Sequence, residues 1–181
     1  MATYLALLRG VNVGSNKVIM ADLRALFTEL GHADARTHLQ TGNVVFTADT
    51  GDRAKLAATI ADAIESAMAV TTTVLLRTRD ELAALIAADP YGAQGIDPAR
   101  RYVTFLDSAP APGLVAALDP AYGAPDEFTV GDRAVYVHCP NGYGRTKLSN
   151  AFFERRLKVP ATSRGFRVTA KLLDLLDAEP G

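Results

Sequence analysis

The chain has no tryptophan, one cysteine and three methionines among 181 residues. With Cys139 as the lone thiol, no internal disulfide can form, and a cytoplasmic setting is the expectation. No apolar run approaches the roughly 20 residues that a membrane-crossing helix needs, so no membrane partner is expected. The opening Met1-Ala2-Thr3-Tyr4-Leu5 lacks the basic and apolar regions of a secretion signal. Also missing are the dinucleotide fingerprint G-x-G-x-x-G, the phosphate loop G-x-x-x-x-G-K-[ST] and the nucleophile elbow G-x-S-x-G. His32, His38 and His138 have no ligand-like spacing with each other or with Cys139, so no metal is expected. Asp107, Asp119 and Asp132 stand singly and specify no acid–base pair. No catalytic residue stands out and no cofactor is implied, which leaves open whether the protein is an enzyme.

What remains is ordinary for a packed globular chain: 49% hydrophobic residues, 22% charged, a net charge of −1. The charge is unevenly spread. Residues 141–171 carry Arg145, Lys147, Arg155, Arg156, Lys158, Arg164, Arg167 and Lys171 against Glu154 alone. Such a segment is either a solvated helical face or a field that draws an anionic partner.

Periodicity orders the elements. Tyr4-Leu5-Ala6-Leu7-Leu8 reads as a buried strand, and Leu23, Leu26, Phe27 and Leu30 as a helical stripe stopped by Gly31. The runs Thr37–Gln40 and Asn43–Phe46, separated by Thr41-Gly42, predict a tight hairpin. Leu56, Ile60 and Ile64 mark a second helix, and 70–77 a fourth strand. The resulting β-α-β-β-α-β order is that of ferredoxin-like folds. Thr78-Arg79-Asp80-Glu81 matches a capping box. The fold class expected is therefore α+β with two subdomains, residues 1–78 and 79–181. The second reads as a related α/β half, with a hairpin around Gly131-Asp132 and two basic C-terminal helices.

Three polar loops interrupt this frame. The first holds Arg9, Gly10, Asn12, Gly14 and Lys17; the second holds Gln40, Gly42 and Asn43; the third holds Tyr143, Gly144, Arg145, Lys147 and Asn150. Glycines let a ligand approach the backbone, arginine can grip an anion through its fork, and lysine supplies a point charge. The expected function is recognition of a phosphate-bearing metabolite or nucleotide where the first and third loops meet. The alternatives are a nucleic-acid module on the basic 145–171 segment, with Tyr143 as an exposed stacking surface, or an interaction module with no small ligand. A sequence pI of about 6.3 speaks against nonspecific DNA coating.

At "LLRGVNVG", "QTGNVVF" and "NGYGRTKLSNAFFERRL", followed by "PATSR", the sequence resembles the bacterial family called domain of unknown function 1697. The family pattern is similar at Arg9, Gly10, Asn12 and Gly14, at Gln40, Gly42 and Asn43, and at Tyr143, Gly144, Lys147 and Asn150. The resemblance implies an α+β fold of two subdomains, the first ferredoxin-like, and brings no assigned activity. Where relatives tend to read T-T-R-N-W-N-T-V, this chain has Gly165 and Phe166 in place of an Asn and a Trp.

Overall fold

The computed structural model describes residues 1–178. The chain divides into two compact units, Met1–Ala83 together with the chain from Leu172 on, and Ala84–Lys171.

The first unit runs β1 (Ala2–Leu8), α1 (Met20–Glu29), β2 (Arg36–Thr37), β3 (Asn43–Ala48), α2 (Arg53–Met68) and β4 (Val74–Thr78). Its antiparallel sheet has the order β2-β3-β1-β4, with Leu5 opposite Val45 on one side and Arg77 on the other. Alternation puts Tyr4, Ala6, Leu8, Val44, Phe46 and Leu76 on the face that packs against Leu23 and Phe27 of α1 and Ile60 and Ile64 of α2. Both helices therefore share one face of the sheet. Phe27 meets Phe46 edge-on at 5.0 Å between ring centres. Leu5, Leu7, Val45 and Leu75, on the opposite face, are buried as well.

Local chemistry sets the helix limits. Gly31, at φ +92°, ends α1, and the amide of His32 donates to the carbonyl of Phe27. Asp52 caps α2 by accepting the Lys55 amide. The capping box forms as read: the Thr78 amide donates to Glu81 Oε2 and the Glu81 amide to Thr78 Oγ1. It opens α3 (Arg79–Ala87), and Glu81 also takes both terminal nitrogens of Arg53 at 2.8 Å.

The first hairpin is looser than the two-residue turn expected. Pairing stops at Thr37, and the His38 amide and carbonyl are held by the Asn43 carbonyl and side-chain amide. The chain between them turns through Leu39 at φ +59° and Gly42 at φ +80°.

The second unit adds α4 (Pro90–Ala93), β5 (Arg101–Leu106), α5 (Pro112–Ala116), β6 (Glu127–Val130), β7 (Ala134–His138), α6 (Asn150–Leu157) and β8 (Ala161–Gly165), and enters α7 (Phe166–Asp177). Its sheet is again antiparallel, in the order β6-β7-β5-β8. The β6–β7 turn centres on Asp132-Arg133, one residue later than expected, since the Gly131 amide donates to the Ala134 carbonyl. Strand β8 is the strand that the sequence reading lacks. Its residues Ala161-Thr162-Ser163-Arg164-Gly165 show no apolar alternation, yet Thr162 and Arg164 are buried and Ser163 exchanges a 2.9 Å hydrogen bond with Thr104. Polar groups satisfied inside the sheet take the place of the usual apolar signal.

Candidate functional site

The first and second polar loops come together at one end of the first unit's sheet. Asn12, at φ +54°, is the hub: its side-chain amide donates to the carbonyls of Val18 and Gln40, and its carbonyl oxygen accepts the Val18 amide. Asn16 donates to the Gly10 carbonyl, and the Thr72 hydroxyl to that of Arg9. Asn43 is fully buried, its amide shared between the His38 carbonyl and the Thr41 hydroxyl. A methyl on Gly42 would lie 2.5 Å from Val11 Cγ2 and 2.8 Å from Leu8 Cβ, so only glycine fits there. Asn12, Gly42 and Asn43 thus hold the loops in shape, and Gly10 and Gly14 adopt φ of +70° and +60° without crowding. Lys17 and Gln40 present exposed side chains, and Arg9 is half-buried.

The third loop belongs to the second unit. A cavity of about 440 Å³ is lined by Gly123, Ala124, Pro125, Asp126, Asn141, Gly142, Arg145 and Lys147. It lies where β7 ends and the chain turns through Gly142 (φ +89°) and a short 3-10 turn, Tyr143–Arg145, toward α6. Arg145 and Lys147 are exposed and have no acidic partner among the described residues. Asp126 is buried in the wall and accepts the Thr146 hydroxyl at 2.6 Å through Oδ2. Thr146 in turn accepts the Leu148 amide, and Ser149 caps α6 by accepting that of Phe152. The loop's exit is therefore held by the backbone of the helix it feeds.

Three residues of the third motif, Tyr143, Gly144 and Asn150, do not line this cavity. Asn150 turns away and donates to the Ala161 carbonyl at 3.3 Å. Tyr143, expected as an exposed contact, packs its ring on Tyr102 at 4.7 Å in the unit's apolar cluster. Its hydroxyl is buried without a well-formed hydrogen bond, and burial pushes its pKa up while Ser163 and the Asn150 backbone pull it down. An aromatic between two glycines looks like a loop tip in sequence; the 3-10 turn swings it inward. Gly144 is open to solvent.

Sequence reasoning missed Asp126 and the Gly123–Pro125 wall, because nothing in their spacing ties them to residues 141–147. Cys139 sits under the same loop, fully buried, its thiol pushed up to about 11 by burial. It is a packing residue rather than a nucleophile. Among the described residues no three His, Cys, Asp or Glu side chains gather as a metal site, and no helix is long and apolar enough to cross a membrane.

The fold has a solved counterpart. A conserved bacterial protein, SP0830 from Streptococcus pneumoniae, superposes with a TM-score of 0.74 over 98% of this chain and 99% of its own, at 22% identity. The likeness is one of fold. No curated protein matches the chain. The family described as "Protein of unknown function (DUF1697)" matches residues 1–136, which takes in the Arg9–Gly14 and Gln40–Asn43 motifs and stops short of the third loop. With three quarters of its length matched, the chain belongs to that family.

Proposed function

We propose that the Ala84–Lys171 unit binds the phosphate group of a small metabolite in the cavity beside Arg145 and Lys147. The observation that carries this reading is a pair of exposed cations, without acidic partners among the described residues, on the rim of a 440 Å³ concavity. Small-molecule sites commonly occupy about 300–1,000 Å³. Gly142, at φ +89°, shapes the rim without a side chain in the way. The 9–17 loop contributes less to this reading, because Asn12 and Asn16 are committed to the backbone carbonyls of Val18, Gln40 and Gly10.

The nucleic-acid alternative loses support residue by residue. Arg164 is buried, Arg167 lies 3.5 Å from Asp97, and Tyr143 is packed on Tyr102. Arg155, Arg156 and Lys158 remain exposed. As to architecture, the order β2-β3-β1-β4 within β-α-β-β-α-β supports a ferredoxin-like first unit. A cytoplasmic setting fits the single, buried thiol.

Calorimetric titration with methyl phosphate and with a short duplex DNA, each at two salt concentrations, tests the reading. The expected result is phosphate-ester binding with a shallow salt response that Lys147→Ala weakens. A duplex that binds more tightly, with log affinity falling by about 0.9 per engaged phosphate for each tenfold rise in salt, would replace it. Binding of neither leaves the interaction module.

A further inference from the structure

The cavity is larger and chemically more particular than a bare phosphate requires. Besides Arg145 and Lys147, its wall contains the Asp126 carboxylate and the Asn141 amide. Asp126 Oδ2 is occupied by the Thr146 hydroxyl, which fixes the carboxylate in place, whereas Oδ1 has no protein donor among the described residues. A free carboxylate oxygen beside two cations repels one part of an anionic ligand and attracts any hydroxyl the ligand carries nearby. Asn141, exposed on the rim, can both donate to and accept from such hydroxyls. No aromatic ring lines the cavity, so it offers no stacking platform for a base. The rest of the lining is Gly123, Ala124, Pro125 and Gly142, small residues that leave width for a ring-sized polyol.

From this juxtaposition we propose that the ligand is a sugar phosphate, its phosphate held by Arg145 and Lys147 and its hydroxyls by Asp126 Oδ1 and Asn141. This rests on the phosphate reading above and adds the substrate class. Specificity then comes from the carboxylate: a ligand without hydroxyls leaves Oδ1 facing an anion with nothing to accept.

The test is a calorimetric comparison of glucose 6-phosphate, ribose 5-phosphate and fructose 6-phosphate with methyl phosphate and adenosine 5′-monophosphate. At least one sugar phosphate is expected to bind about tenfold or more tightly than methyl phosphate, as one added charge-assisted hydrogen bond would give. Asp126→Asn and Asn141→Ala are expected to reduce that ratio while methyl phosphate affinity holds or rises; Lys147→Ala is expected to weaken both. Should Asp126→Asn fail to fold, Asn141→Ala and the wild-type ratio still decide. Equal binding of methyl phosphate and all three sugar phosphates would overturn the sugar assignment and leave the phosphate site standing. Adenosine monophosphate binding tenfold more tightly than ribose 5-phosphate would overturn it in favour of base recognition. Binding of none of the five would remove both readings.

Discussion

The two units repeat one another strand for strand, yet each grows its long polar loop at a different end of the sheet. Register aligns Tyr4 with Tyr102, Leu5 with Val103 and Arg77 with Arg164, since Leu5 pairs with Arg77 as Val103 pairs with Arg164. Both arginines are buried, and each donates through one terminal nitrogen to the carbonyl of the residue just before it. In the first unit the glycine-rich excursion follows the first strand, after Leu8; in the second it follows the third strand, after His138. Because those strands are antiparallel, the two excursions leave from opposite ends of equivalent sheets. An antiparallel sheet with helices on one face thus tolerates elaboration at either end, and what it presents is decided by the loop. The first loop spends its asparagines on backbone carbonyls, those of Gly10, Val18 and Gln40. The second leaves its cations free.

The largest expected break in this comparison is at Arg101. It pairs with buried Asp89 at 2.7 Å and lies 3.8 Å over the Phe166 ring, whereas the equivalent position in the first unit is Thr3. Arg101→Ala strands the Asp89 charge and is expected to cost about 3–5 kcal/mol in denaturant unfolding. Thr3→Ala should stay within about 0.5 kcal/mol.

Next comes the loop junction of the first unit. Gly42→Ala combines a positive φ with collisions against Val11 and Leu8, and about 2–4 kcal/mol of destabilisation is expected. Gly14→Ala meets open space and should cost only about 1–2 kcal/mol, from its φ alone. Equal costs in thermal or denaturant unfolding would show that Gly42 is not the close junction described here.

Ligand binding should separate the loops. Lys147→Ala is expected to weaken methyl phosphate about tenfold, the loss of one charge-assisted hydrogen bond, with Lys17→Ala within about twofold. The reverse ranking by calorimetry would move the phosphate site to the first unit.

The smallest effect concerns pH. Cys139 follows β7 where Ala48 closes β3, so Cys139→Ala gives the second unit the first unit's residue. Burial raises the thiol to about 11, and raises Tyr136 to about 12, so the folded chain keeps these protons longer than the unfolded one. Their contribution is therefore complete below the ordinary thiol range and is lost as pH rises toward about 11 and 12. Burial lowers Arg164 to about 10, which acts in the opposite direction. Cys139→Ala should flatten the alkaline loss of stability between about pH 9 and 11 relative to the parent; an unchanged slope would mean that the thiol titrates as in the unfolded chain.

Much of the first unit was legible in the sequence because its signals are local. Apolar periodicity, Gly31 and the Thr78–Glu81 box each act within a few residues; they mark the element order, the end of α1 and the start of α3. Strand β8 escaped because it is polar where a buried strand is usually apolar: Arg164 bonds Thr162 and the Ser163 carbonyl within the strand, and Ser163 meets Thr104, a partner far along the chain. For the same reason the third loop could be singled out by its glycines and cations, whereas its wall could not: Asp126 is joined to Thr146 only by folding. Tyr143 was misplaced outward because a short 3-10 turn leaves no periodic mark.

Leu39 sits at φ +59° and is half exposed, in a turn whose counterpart at Asp132-Arg133 needs no left-handed residue. A leucine there is a poor choice by chain preference and by solubility alike, which makes it a handle for protein engineering. Leu39→Gly or Leu39→Asn is expected to raise stability by about 1 kcal/mol. The same change removes an apolar side chain from the surface, so a more soluble variant should follow from one codon.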